Sequence, residues 1–85
     1  MSEHAGQYIE QRQSVEITNR SEMPMTLYVE PWGDEFELQP MERIRVDLIG
    51  PVRTAIPVSY AGNSIVVEGW GGTNAEVWKG EELLN

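Results

Sequence analysis

Residues 25–49 read MTLYVEPWGDEFELQPMERIRVDLI. Three short apolar runs are separated by Pro31-Trp32-Gly33-Asp34 and by Gln39-Pro40-Met41-Glu42, and within each run side-chain character alternates with a period of two, the strand period. Leu27 and Val29 oppose Thr26, Tyr28 and Glu30; Phe36 and Leu38 oppose Glu35, Glu37 and Gln39; Ile44, Val46 and Leu48 oppose Arg43, Arg45 and Asp47. The pattern predicts an antiparallel meander with one dry and one wet face. Pro31 supplies a fixed φ and Gly33 admits a positive one, which predicts a four-residue type II turn. Gly50-Pro51 ends the third run; an X-Pro bond permits cis, and trans is expected here.

The same alternation extends outward from this stretch. Val15 and Ile17 oppose Glu16 and Thr18, and Asn19 to Pro24 reads as a polar connection. Beyond Pro51, Thr54, Ile56 and Val58 or Tyr60 outline a strand with Pro57 in its middle, which suits an edge or a bulge because proline cannot donate to a central ladder. Ala61 to Ser64 is a tight turn. Ile65 and Val67 then alternate with Val66 and Glu68, so Val66 faces outward, and Ala75 to Lys79 is the last strand; GEELLN reads as a helical turn docked by Leu83 and Leu84. The expectation is an all-β fold, a small antiparallel β-sandwich of about seven short strands, with a small open barrel as the alternative. Residues 1–13 read as a flexible tail with Tyr8 and Ile9 as anchors, and 14–85 as a single domain. The predicted core is Val15, Ile17, Leu27, Val29, Phe36, Leu38, Ile44, Val46, Leu48, Ile56, Val58, Ile65, Val67 and Val77.

Composition narrows the classes of function. Eighty-five residues suffice for one core. Fourteen acidic against six basic residues give a net charge of -8, which repels nucleic-acid phosphates and anionic membranes and suits a protein partner with a basic surface. There is no cysteine, hence no disulfide, thiolate nucleophile or soft metal ligand. No run approaches the roughly 20 apolar residues of a membrane span, and the start lacks the basic and apolar regions of a secretory signal, so a cytoplasmic protein is expected.

Catalytic chemistry needs a base or nucleophile beside an orienting partner. The single histidine, His4, lies in the tail, and Asp34, Glu35 and Glu37 read as solvated, so no catalytic residue, metal or cofactor is expected. Gly69, Gly71 and Gly72 lack the lysine of a phosphate loop. Arg43 and Arg45, with Arg53 nearby, are expected to pair across strands with Glu35 and Glu37. The functional lead is aromatic: Trp32 and Trp70 sit in glycine-bearing turns, and with Tyr28 and Asp34 they are the candidate binding residues. The competing reading has both tryptophans plugging the ends of the sandwich, with Trp78 a core residue or one covered by the C-terminal tail. Three functions follow: a non-catalytic protein-binding or regulatory module, a structural or capping subunit of a larger or homo-oligomeric assembly using Val66 and the edge at Pro57, and binding of carbohydrate or another small ligand through loop aromatics.

Leu27, Glu30, Pro31, Trp32 and Gly33, followed by Phe36, Leu38 and Pro40, form a Leu-x-x-Glu-Pro-Trp-Gly turn leading into Phe-x-Leu-x-Pro. This quarter of the chain resembles short uncharacterised bacterial all-β proteins, and the layout is similar to sandwich domains that cap larger assemblies. The resemblance implies a β fold and no activity. Met41 departs from it, standing where a glycine is usual after the proline.

Overall fold

The computed structural model describes residues 10–51 and 54–85. Of the expected tail, residues 1–9, with His4, Tyr8 and Ile9, lie outside them, as do Val52 and Arg53. The strands are β1 (Gln11–Thr18), β2 (Met25–Glu30), β3 (Asp34–Leu38), β4 (Arg43–Gly50), β5 (Val58–Ala61), β6 (Ser64–Glu68), β7 (Asn74–Lys79) and β8 (Glu82–Leu83). They form two four-stranded sheets, ordered β1-β4-β7-β8 and β3-β2-β6-β5. The chain is an all-β domain built as a small sandwich of two sheets, not a closed barrel.

Two hairpins make the second sheet, β2–β3 and β5–β6, and they join through a parallel pairing of β2 with β6 in which Tyr28 lies beside Val66. Among the described residues this is the one departure from antiparallel pairing. The meander is also divided: β2 and β3 pair, whereas β4 crosses to the first sheet, between β1 and β7. The strand β1 begins at Gln11, opposite Gly50, three residues before the expected start. The C-terminal GEELLN forms a hairpin strand on β7 instead of a helical turn, with Leu84 packed on the core and Leu83 exposed.

Face parity follows the alternation. Ile17, Leu27, Val29, Leu38, Ile44, Val46, Leu48, Ile65, Val67 and Val77 are buried and form one cluster. Val15, Phe36, Ile56 and Val58 pack against it half-buried, because the edge strands β1, β3 and β5 and the connection ahead of β5 are covered from one side only. Phe36 is therefore a flank of the core, whereas Leu38 on the same strand is fully buried. Ile49 is buried as well, although it points to the outer face of the first sheet.

The two ends of the sandwich close differently. At one end, buried Asn19 donates its side-chain amide to Met23 O (2.8 Å) and Leu38 O (3.0 Å) and accepts from Ser21 N (2.9 Å) and Ser21 Oγ (2.7 Å). Its backbone N–H donates to Glu42 O at 2.9 Å, and its carbonyl accepts from Met41 N at 2.6 Å. The residue read as part of a polar connection is thus the point where the β1–β2 and β3–β4 links are tied together. In the second link Glu42 N donates to Gln39 O (3.0 Å) with Met41 at φ 69°, a type II turn that places methionine where glycine is preferred.

At the opposite end, Gly33 N donates to Val29 O at 3.0 Å, a reversal one residue longer than the expected β-turn; Gly33 has φ 77°, the Glu30–Pro31 bond is cis, and Gly50–Pro51 is trans as expected. The Trp32 ring lies across Gly69, so close that a Cβ on Gly69 would stand 2.6 Å from Cη2 and 2.8 Å from Cζ3. Gly69 N donates to Glu30 O at 2.7 Å, which continues the β2–β6 ladder beyond Glu68. By alternation the missing Cβ points to the core side, like Val67, so the ring caps the core.

Candidate functional site

The two outer faces differ in charge. On the second sheet, Thr26, Tyr28 and Glu30 of β2 face outward with Glu35 and Glu37 of β3 and with Ser64, Val66 and Glu68 of β6. No lysine or arginine shares this face among the described residues. Glu35 lies directly across from Tyr28, and its carboxylate holds the Tyr28 pKa above the usual value.

On the first sheet the registers set Arg12, Ser14, Glu16 and Thr18 of β1 beside Ile49, Asp47, Arg45 and Arg43 of β4, and Asn74, Glu76 and Trp78 of β7 beside Ile49, Asp47 and Arg45. Asp47 is at the middle of this face and is only 1% exposed. It accepts from Ser14 Oγ (2.6 Å), Arg12 Nη1 (2.7 Å) and Arg45 Nε (3.0 Å). Burial works to raise its pKa, but the bonds from Ser14, Arg45 and Arg12 outweigh burial and hold it below the usual carboxylate range. Arg12 also reaches Glu76 at 3.1 Å, and Trp78 Nε1 donates to the same carboxylate oxygen at 3.2 Å.

The expected pairing of Arg43 and Arg45 with Glu35 and Glu37 does not occur, because β3 and β4 are in different sheets. Arg45 uses Asp47 and stacks on Trp78, its guanidinium carbon 5.5 Å from the ring centroid. Arg43 is exposed and makes no ion pair among the described residues. An open groove of about 420 Å³ runs along this end of the face, lined by Glu16, Met41, Arg43, Arg45, Trp78 and Gly80. Beside it Lys79 donates to Glu42 Oε2 at 2.9 Å. That bond, followed by one from Gln39 N–H, lowers the Glu42 pKa.

The four candidate residues are not brought together. Tyr28 is on the outer face of the second sheet, whereas Trp32 caps the core end and remains 38% exposed. Asp34 pairs with Val29 at the head of β3. Trp70 packs half-buried against the core, and its Nε1 is buried with no acceptor among the described residues. Its backbone is held by Thr73, whose N–H donates to Trp70 O at 3.2 Å. Trp78 is not a core residue: it stands half-buried on the outer face, flanked by Leu83 of the C-terminal strand.

Sequence reasoning passed over the groove, although AEVWK carries its signal. If Ala75 and Val77 face the core, Trp78 must point the other way, onto the face that holds Arg43 and Arg45. Chemically this arrangement is suited to recognition. It offers an aromatic ring, a planar cation, a second cation that makes no ion pair among the described residues, and the exposed thioether of Met41. Among the described residues no three His, Asp or Glu side chains gather as metal ligands, and no helix is long and apolar enough to cross a membrane. Comparison with protein-family models, curated proteins and solved structures gives no match for this chain.

Proposed function

We propose that the protein is a non-catalytic binding module, set in the cytoplasm, that docks a protein segment in the groove on the outer face of the first sheet. The observation that carries this reading is the meeting of Trp78, Arg45, Arg43 and Met41 in one open groove. Trp, Arg and Met are the side chains enriched where interfaces lose their water, and Trp and Arg dominate binding energy there. Arg43 supplies a directional contact for a carboxylate, and the Trp78 edge and Met41 supply apolar area. The test is affinity capture from the native cell with parent and variant chains side by side. Arg43→Ala should weaken retention of the partner by about 2 kcal/mol, roughly thirtyfold, with an unchanged denaturation midpoint. Equal retention by parent, Arg43→Ala and Met41→Ala would remove the groove as the docking site.

A second reading is favoured by the uncompensated Glu30, Glu35, Glu37 and Glu68 on the opposite face, which suit a basic partner. Binding that falls steeply with salt, is lost in Glu35→Gln with Glu37→Gln and survives in Arg43→Ala would place docking there.

A further inference from the structure

We propose that β5 is a self-association edge, on which a second copy of this chain adds its own β5 antiparallel, with the two-fold axis at Ser59. This surface is separate from the groove and does not depend on it.

Open sheet edges attract other strands, and proteins blunt them with charge, short length or a cover. Three of the four edges here are blunted. The β3 edge carries Asp34, Glu35 and Glu37, and β8 has only two residues. On β1 the Gln13 side chain grips the backbone of Thr54, accepting from its N–H at 3.0 Å and donating to its carbonyl at 2.5 Å. The β5 edge, four residues long, carries neither a charge nor a cover among the described residues. It lies within Thr54 to Val67, 14 consecutive residues without a charge in a chain that is 24% charged.

Register shows which backbone groups are open. Ala61 and Ser64 flank the two-residue turn Gly62-Asn63, and Glu68 N donates to Pro57 O at 3.1 Å. Residues 57, 59 and 61 therefore direct their backbone groups to β6, and Val58 and Tyr60 direct theirs to the free edge. Pro57 does not blunt that edge, because the N–H it lacks would have pointed to β6. Tyr60 is opposite Ile65, on the core-facing side of the strand, yet Tyr60 is 68% exposed and Ile65 1%.

Charge selects the occupant. Two chains of charge -8 repel at long range, and β5 is where they can meet without setting carboxylate against carboxylate. With the axis at Ser59, Val58 exchanges both backbone bonds with Tyr60 of the second copy, and Tyr60 with its Val58. Each Tyr60 ring then covers a Val58 side chain, and Ser59 faces Ser59. The two second sheets become one continuous sheet. Four-residue strands bury less than the about 1,000 Å² of a stable interface, so the association is weak and strengthens as salt screens the repulsion.

The cysteine-free chain permits a direct test. A Ser59→Cys pair across the axis would sit at a Cα separation of about 4.5 Å, within disulfide range. Under mild oxidation Ser59→Cys should form covalent dimer at least about tenfold faster than Glu37→Cys on the β3 edge, a preference set by local concentration. Adding Tyr60→Pro, which deletes only an edge-facing N–H, or Tyr60→Lys should return the rate to that of the control. Sedimentation of the parent should show dimer at millimolar concentration, more of it at high salt. Equal rates for the two cysteines, insensitivity to both Tyr60 substitutions, a parent that stays monomeric throughout, or a foreign strand held at β5 by a monomeric parent would each overturn the proposal.

Discussion

The two ends of the sandwich do the same job by opposite means. The end at Asn19 is closed by hydrogen bonds between a buried amide and three separate chain segments, with little apolar area. The end at Trp32 is closed by an indole laid over a glycine, and nearby in sequence the Trp70 Nε1 is buried without an acceptor among the described residues. A polar closure is directional and fails all at once when a partner is lost. An apolar closure is tolerant of angle but intolerant of volume. Mutation should therefore separate them.

Asn19→Ala should have the largest effect, about 2 to 4 kcal/mol, because it strands the buried Leu38 carbonyl and the Ser21 N–H together. A urea midpoint that hardly moves would mean that water replaces the amide and that this end is not held by Asn19. Trp32→Ala should cost about 1 to 3 kcal/mol, less than for a fully buried indole, since the ring is 38% exposed. Gly69→Ala should cost about 1 to 3 kcal/mol in the parent by displacing that ring and nearly nothing in Trp32→Ala, a coupling read from the double-mutant cycle. Additive costs would show that the ring is not seated on Gly69.

Acid distinguishes the ends in a second way. Glu42, beside the Asn19 closure, has its pKa lowered chiefly by Lys79, and Asp47 on the adjoining face is held low by Ser14, Arg45 and Arg12 against its burial. A carboxyl whose folded pKa lies below its unfolded value contributes stability above the unfolded value, about 3.9 for aspartate, and loses that contribution as pH falls through the folded value. Resonances of Gln39, Met41 and Ser14 should shift in acid before those of Gly69 and Thr73. Asp47→Asn should cost about 1 to 2 kcal/mol at neutral pH and flatten the acid limb of the stability profile. An unchanged limb would assign acid sensitivity elsewhere. The smallest effect should be a gain: Met41→Gly relieves a positive φ and should stabilise the Asn19 end by up to about 1 kcal/mol, whereas a loss would show that the exposed methionine has packing value.

These contrasts mark what the sequence made legible. Alternation assigns a residue to a face, so Leu38, Val46 and Val67 were readable as core and the sandwich followed. Alternation does not say which strand lies alongside. Arg45 looked like a partner for Glu35 because β3 and β4 are consecutive, and the crossing between sheets gave it Asp47 instead. Parity likewise put Asp47 on the wet face, and only the neighbours Ser14 and Arg12, brought in by β1, bury it there. Asn19 carried no periodic pattern, because apart from Ser21 its partners are backbone groups that every sequence possesses. Trp78 was readable by parity, yet the weight given to turn tryptophans drew attention to Trp32 and Trp70.

The parallel seam between β2 and β6 bears on how the chain reaches this fold. Tyr28 must find Val66, 38 positions along the chain, while the hairpins β2–β3 and β5–β6 can each form from neighbouring residues. Loop closure over that distance costs entropy before any ladder bond repays it, and closing contacts of this kind slow folding. The rate-limiting ensemble should thus contain two preformed hairpins in the act of zipping together. Substitutions at Leu27 or Ile65, on the seam, should retard folding, and those at Leu84 on the C-terminal strand should chiefly hasten unfolding. A chain of this kind spends its slowest moment with the β5 edge already formed and the seam still open.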